Sequence, residues 1–236
     1  MNKAHLSSSA ILLLALLLPI ASATAAGATD SKKGNKPAKS EGSAPSEATT
    51  AEAKSTAGHP MAELKKSDAA LKKLFARRAP SWSPEASAER DEMRKIVAGF
   101  LDFEELAKRS LARHWDGLSA KQRADFTATL RDLIERSYIR QVHGSPNYDL
   151  AFDKETIDGK EADVTATLHS VVRGKMVDVA IEYKLLANSG RWLVYDVVTD
   201  EQSMLENYQA EFSKIINKES FDALLKRMKK KLEAKE

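Results

Sequence analysis

Apolar positions along this chain change period twice, and the changes divide it into helices, a sheet and further helices. From Met61 to Arg78, Leu64, Leu71, Leu74 and Phe75 fall on one side of a helix that Ala79-Pro80 ends. Ser83-Pro84-Glu85 opens a second helix, with Ser at the N-cap and Pro at the first helical position. That helix carries Met93, Ile96, Val97 and Phe100. Asp102 and Glu105 have N-cap spacing for a short helix bearing Phe103, Leu106 and Leu111. Ser119 and Gln122 form the next capping box. It starts the longest helix, with Phe126, Leu130, Leu133, Ile134, Tyr138 and Val142 inward, and Gly144-Ser-Pro146 stops it.

The period then becomes two. Tyr148, Leu150 and Phe152 alternate in a first strand, and Asp158-Gly159 is a hairpin signal. Val164, Ala166, Leu168 and Val172 alternate in a second strand, which Arg173-Gly174 turns into a third. There Val177, Val179, Ile181, Tyr183 and Leu185 face one side, and Asp178, Glu182 and Lys184 face a wet side. Asn188-Ser-Gly190 turns into a fourth strand, with Trp192, Val194 and Val198 expected on one face and Leu193, Tyr195 and Val197 on the other. Ser203 and Glu206 cap a helix carrying Met204, Leu205, Tyr208, Phe212, Ile215 and Ile216. A last helix carries Phe221, Leu224, Leu225, Met228 and Leu232. The expected fold is α+β: a four-stranded antiparallel curved sheet with N- and C-terminal helices packed on one face, forming an apolar cavity.

The N-terminus is different material. Lys3, the apolar run Ala10 to Ile20 and small residues around Ala21 to Ala25 read as a secretory signal peptide over residues 1–26. Residues 27–60, rich in Ala, Ser, Thr, Gly, Pro and Lys, read as a disordered tether. Residues 61–236 then form a single domain large enough for a real core. The chain has no cysteine, which excludes disulfides and thiolate chemistry. Its formal charge of +3 is too balanced for a nucleic-acid protein. The exception to the mixed charge pattern is Lys226-Arg-Met-Lys-Lys-Lys231, read as a solvated helix face or a surface for anionic headgroups or an acidic partner.

No catalytic motif stands out. The five histidines include no i,i+4 metal pair, and phosphate loops and nucleophile elbows are missing. His59 falls in the tether, and His114 and His143 fall at helix ends. Asp196 is the one carboxylate in an apolar strand: a structural acceptor or, with Tyr183 or Tyr138, a candidate isomerase-type acid.

Three ordered segments add to this: Leu111 to Trp115 after Phe100-Leu-Asp-Phe103, then Gln122-Arg123 with Phe126, then Trp192-Leu-Val-Tyr195-Asp196 with Ser203, Asn207-Tyr208 and Phe212. The pattern resembles the MlaC family, the toluene-tolerance family of ABC-transporter auxiliary proteins. It departs from the family in lacking a glycine within Asp200-Glu-Gln-Ser203 and in having Ala112 where the family has Gly, a mild change. The long tether is also not a family feature. The resemblance implies a monomeric periplasmic phospholipid carrier with no cofactor and no enzymatic activity. Its partners would be glycerophospholipid, an inner-membrane MCE-domain/ABC transporter complex and an outer-membrane lipoprotein complex. A lipid-free envelope adaptor and a cone-shaped isomerase are the alternatives. With a cavity implied, the expected lipid-lining residues are Phe100, Phe103, Leu106, Leu130, Ile134, Tyr138, Val177, Val179, Ile181, Tyr183, Val194 and Tyr208.

Overall fold

The computed structural model describes residues 58–76, 85–142, 148–172 and 175–234, without the side chains of 85, 86, 138–142 and 172. The expected signal peptide, nearly all of the expected tether, and the expected turns at Ala79-Pro80, Ser83-Pro84, Gly144 to Pro146 and Arg173-Gly174 lie outside the described residues.

Three helices precede a long fourth: α1 (Pro60–Ala76), α2 (Glu85–Phe100), α3 (Phe103–Leu111) and α4 (Ala120–Val142). The sheet follows as β1 (Tyr148–Asp158), β2 (Glu161–Val172), β3 (Lys175–Asn188), β4 (Arg191–Thr199) and β5 (Gln202–Ser203). Helices α5 (Met204–Lys218) and α6 (Phe221–Glu233) close the chain. The start signals form as their spacing predicts. Asp102 Oδ1 accepts from the Glu105 N–H at 2.9 Å. The Ser119–Gln122 box is reciprocal: Ser119 Oγ accepts from the Gln122 N–H at 3.2 Å, and Gln122 Oε1 accepts from the Ser119 N–H at 3.1 Å.

All five strands form one antiparallel meander in sequence order. The fifth strand is a two-residue addition to the four expected, pairing Val198 with Ser203 and Thr199 with Gln202. It is too short for any period to announce it. Register places Ala162, Val164, Ala166 and Leu168 opposite Leu185, Tyr183, Ile181 and Val179. Every one of these is buried, so this is the inner face. Asp163 with Lys184, Thr165 with Glu182 and His169 with Asp178 form the outer face. Ser189 and Gly190 complete the β3–β4 hairpin with φ of 51° and 79°, a pair of positive values that suits the twist of flanking strands.

Strand β4 departs from the expected alternation. Leu185 pairs with Val194 but Lys184 pairs with Asp196, so Tyr195 is an extra, bulged residue. Beyond it the faces swap. Val197 joins Trp192 and Val194 inside, opposite Tyr183, while Val198 lies opposite Glu182 outside. A strand apolar on both sides carries no mark of such a slip.

Helix α1 lies over β1, β2 and β4, α2 and α3 also reach β4, and α5 packs on β4 and β5. Helices α4 and α6 stack behind them. Phe126 joins α4 to α5 by edge-on contact with Phe212, 5.5 Å between centroids, and Tyr208 stacks on Phe212 at 5.2 Å. At about 1.5–3 kcal/mol per fully buried large side chain, this cluster is a major source of stability.

Candidate functional site

Helix α1 turns Leu64 and Leu71 toward the inner face of the sheet, and the join is incomplete. A cavity of 30 Å³ remains, bordered by Leu64, Ser67, Asp68 and Leu71 of α1, Phe100 at the end of α2, Leu150 and Phe152 of β1, and Tyr183 of β3. The Phe152 and Tyr183 rings stack at 6.3 Å on its sheet side. That volume holds about one water, against the ~300 Å³ at which small-molecule pockets begin. Open grooves of 620, 400 and 340 Å³ elsewhere are surface features rich in Lys, Arg, Asp and Glu.

The helix covering this cavity is attached to β1 by polar links at separate points. Glu155 of β1 accepts the Met61 N–H on Oε2 at 3.0 Å, while its Oε1 lies 2.8 Å from His59 Nδ1. A carboxylate 94 residues away thus serves the first turn of α1, where backbone donors are free and the dipole favours negative charge. His59, expected in the tether, is therefore already tied to the domain, and the Trp192 indole N–H donates to the Gly58 carbonyl at 2.5 Å. Farther along, Tyr148 Oη donates to Asp68 at 3.1 Å, and Lys72 Nζ bridges Asp68 at 3.1 Å and Asp149 at 3.3 Å. Partial burial opposes the Lys72 charge, but the two carboxylates outweigh it and raise its pKa. Burial, then Asp68, pushes the Tyr183 hydroxyl far up, so it stays neutral.

Asp196 is a structural acceptor. It is 2% exposed. Its Oδ1 accepts from the backbone of Val197 at 2.7 Å and Leu205 at 2.9 Å, and its Oδ2 accepts from Ser203 Oγ at 2.6 Å. Ser203 Oγ in turn accepts from the Glu206 N–H at 3.0 Å, so the carboxylate and the hydroxyl together start α5. Asp196 pairs with Lys184 and Tyr183 with Val197, which puts acid and phenol on opposite faces of the sheet. The isomerase set of Asp196 with Tyr183 is not assembled, and the Tyr138 side chain lies outside the described residues. Among the described residues no group of His, Asp and Glu is placed to hold a metal ion.

Ala112 is not a mild change. It ends α3 at φ 45° and ψ −122°, a conformation that strains any residue with a Cβ. Asp200 and Glu201, where the family glycine is missing, take φ of 47° and 64° in the β4–β5 turn. Spacing in a sequence shows neither conformation.

Of the expected lining residues, the structure brings Phe100 and Tyr183 to the cavity. Phe103, Leu106, Leu130, Ile134, Val179, Ile181, Val194 and Tyr208 are buried in the surrounding core, with Val177 partly buried against it. Leu64, Ser67, Asp68, Leu71, Leu150 and Phe152 border the cavity without having been anticipated there. The apolar members were visible as helix and strand faces. Ser67 and Asp68 carried no signal.

The profile of the MlaC protein family matches residues 66–230. The intermembrane phospholipid transport system binding protein MlaC of Haemophilus influenzae is 25% identical over 138 residues. That alignment covers 58% of this chain and 64% of the relative, so the chain spans under two thirds of the relative's length. Among solved structures, the phospholipid-binding protein from Ralstonia solanacearum, in complex with a phospholipid, has a similar fold with a TM-score of 0.61. It is 16% identical, and the match covers 74% of this chain and 97% of that one.

Proposed function

The chain belongs to the MlaC protein family, and we propose that it is a periplasmic carrier of glycerophospholipids. It takes up the acyl chains between α1 and the inner face of the sheet and moves them between the two membranes. One observation carries the reading. An apolar sheet face is covered by a single helix, held to β1 by a few side-chain contacts at separate points, and a small cavity is left between them: the Glu155 clasp, the Asp68 cluster and the edge-on Phe75–Tyr148 pair are those contacts.

Uptake requires α1 to part from β1, because the present 30 Å³ cannot hold an acyl chain. Separating Leu64, Leu71 and Leu74 from their contacts forgoes roughly 5–9 kcal/mol if the space stays empty, and an acyl chain that enters re-covers the same surface. An acyl chain of about fifteen methylenes left in water would cost on the order of 12 kcal/mol, which is what the carrier avoids between membranes. Phe100 and Tyr183 then meet the lipid first, and Val179 and Ile181, next along β3 on the same face, line the deepened space. The remaining expected lining residues, including Tyr138, complete its walls. Binding and release of this kind need no catalytic group, no cofactor and no metal. An inner-membrane MCE-domain transporter complex and an outer-membrane lipoprotein complex are the proposed donor and acceptor, served by a monomer.

Lipid extraction of the full chain purified from a bacterial periplasm, followed by mass spectrometry, tests this. Stoichiometric diacyl phospholipid is the expected result. A protein that folds and exports but is empty contradicts it.

A further inference from the structure

The basic run near the C-terminus forms the outer side of α6. Phe221, Leu224 and Met228 are buried on its inner side. Both ends are fastened: Ser220 Oγ accepts from the Ala223 N–H at 3.1 Å, and Arg136 of α4 donates to the Ala234 carbonyl at 2.7 Å. Arg227 is paired with Glu219. Lys226, Lys229 and Lys230 are exposed, and none of them forms a close ion pair among the described residues, although Lys229 is near enough to Asp125 of α4 to help lower its pKa. Their i, i+3, i+4 spacing puts all three on one face. They border an open groove of 620 Å³ beside half-buried Leu225, with Asp222 and Glu233 at its two ends. The helix holds five basic and two acidic residues, an excess of three that equals the formal charge of the whole chain. The rest of the chain sums to zero, so the net charge of the chain equals the excess carried by this one helix.

We infer that this face of α6 docks the protein on an anionic lipid bilayer, an inference that rests on the carrier reading. Lysine suits that occupant. Its ammonium is a strongly hydrated point charge on a flexible stem, fit for a diffuse negative surface rather than for a bidentate protein contact. The strip lacks the aromatic and Arg anchors that hold most protein interfaces. Three such lysines contribute on the order of a hundredfold in partition to an anionic surface at low salt, and salt screens the effect. Docking would hold the carrier where lipid enters or leaves.

The experiment is flotation of the full chain with phosphatidylcholine vesicles, with and without phosphatidylglycerol, at low and high salt. It is repeated for a triple variant, Lys226→Gln with Lys229→Gln and Lys230→Gln. Phospholipid content by mass spectrometry and the melting temperature are read on the same samples. The wild type should float with the phosphatidylglycerol vesicles at low salt alone. The variant should lose on the order of a hundredfold in binding while keeping its lipid and its melting temperature. Equal binding by a folded variant overturns the inference, as does equal binding to vesicles without phosphatidylglycerol. A lipid-loaded wild type that ignores both vesicles overturns it too, and leaves an acidic protein as the occupant. Loss of bound lipid from both proteins contradicts the carrier reading instead, because vesicle binding is scored separately.

Discussion

Glu155 is the contact whose removal should most directly release α1. Its carboxylate accepts the Met61 N–H at 3.0 Å and lies 2.8 Å from His59. Loss of a side-chain acceptor at a helix start costs about 1 kcal/mol. Loss of a negative charge at the same place costs about 0.3–1 kcal/mol more. Glu155→Ala should therefore shift the balance between closed and open α1 by about 1–2 kcal/mol, a factor of roughly 5–30. Glu155→Gln keeps an acceptor and loses only the charge, so its effect should be about 2–5-fold. Stopped-flow release of a fluorescent phospholipid into acceptor vesicles reads the shift as a faster rate. Hydrogen exchange along α1 reports the same opening without lipid. If exchange in α1 rises in Glu155→Ala but lipid release stays at the wild-type rate, α1 is not the gate.

Ala112→Gly removes a Cβ from a backbone position at φ 45°. Relief of that strain, less the entropy glycine adds to the unfolded chain, should stabilise by about 1 kcal/mol and raise Tm by roughly 2–4 °C in calorimetry. A lower Tm would show that the alanine is not strained. Asp196→Ala leaves the Ser203 hydroxyl and the Leu205 N–H without their buried acceptor. Urea unfolding should show a loss of about 3 kcal/mol or more, and a loss under 1 kcal/mol would contradict its structural role. The Glu135 carboxyl is raised by burial first and by Asp132 second, against Arg131 and Arg94. A raised folded value means that its protonation stabilises at low pH, and that this contribution is lost as pH rises through that value. Glu135→Gln should therefore be more stable than the parent at neutral pH and lose the advantage on acidification, a pattern that denaturation across pH checks. A constant difference across that range would count against it.

Helix starts were legible because capping is local. Ser119 with Gln122, and Ser203 with Glu206, announce themselves within four residues, and the structure forms both starts. The inner and outer faces of β2 and β3 were legible for the same reason, since alternation is a neighbour-to-neighbour pattern. What escaped depends on residues distant in sequence or on backbone angles. The bulge at Tyr195 hides in a strand apolar on both sides. Strand β5 is two residues long. The clasp on α1 comes from Glu155, and no spacing rule links it to Met61. Tyr183 and Phe100 were found at the cavity because each ends or continues an apolar face. Asp68 was missed because a carboxylate beside an apolar space is explained only by Tyr148 and Lys72, both brought to it by the fold.

Carriage of phospholipid from one membrane to another is read in a vesicle-to-vesicle transfer assay. Donor vesicles bearing labelled phospholipid are mixed with unlabelled acceptors and a small amount of the full chain relative to lipid. Each protein molecule should move many lipids, at a rate that rises in Glu155→Ala until loading becomes limiting. Transfer no faster than spontaneous exchange, by a folded protein at any concentration, would contradict it.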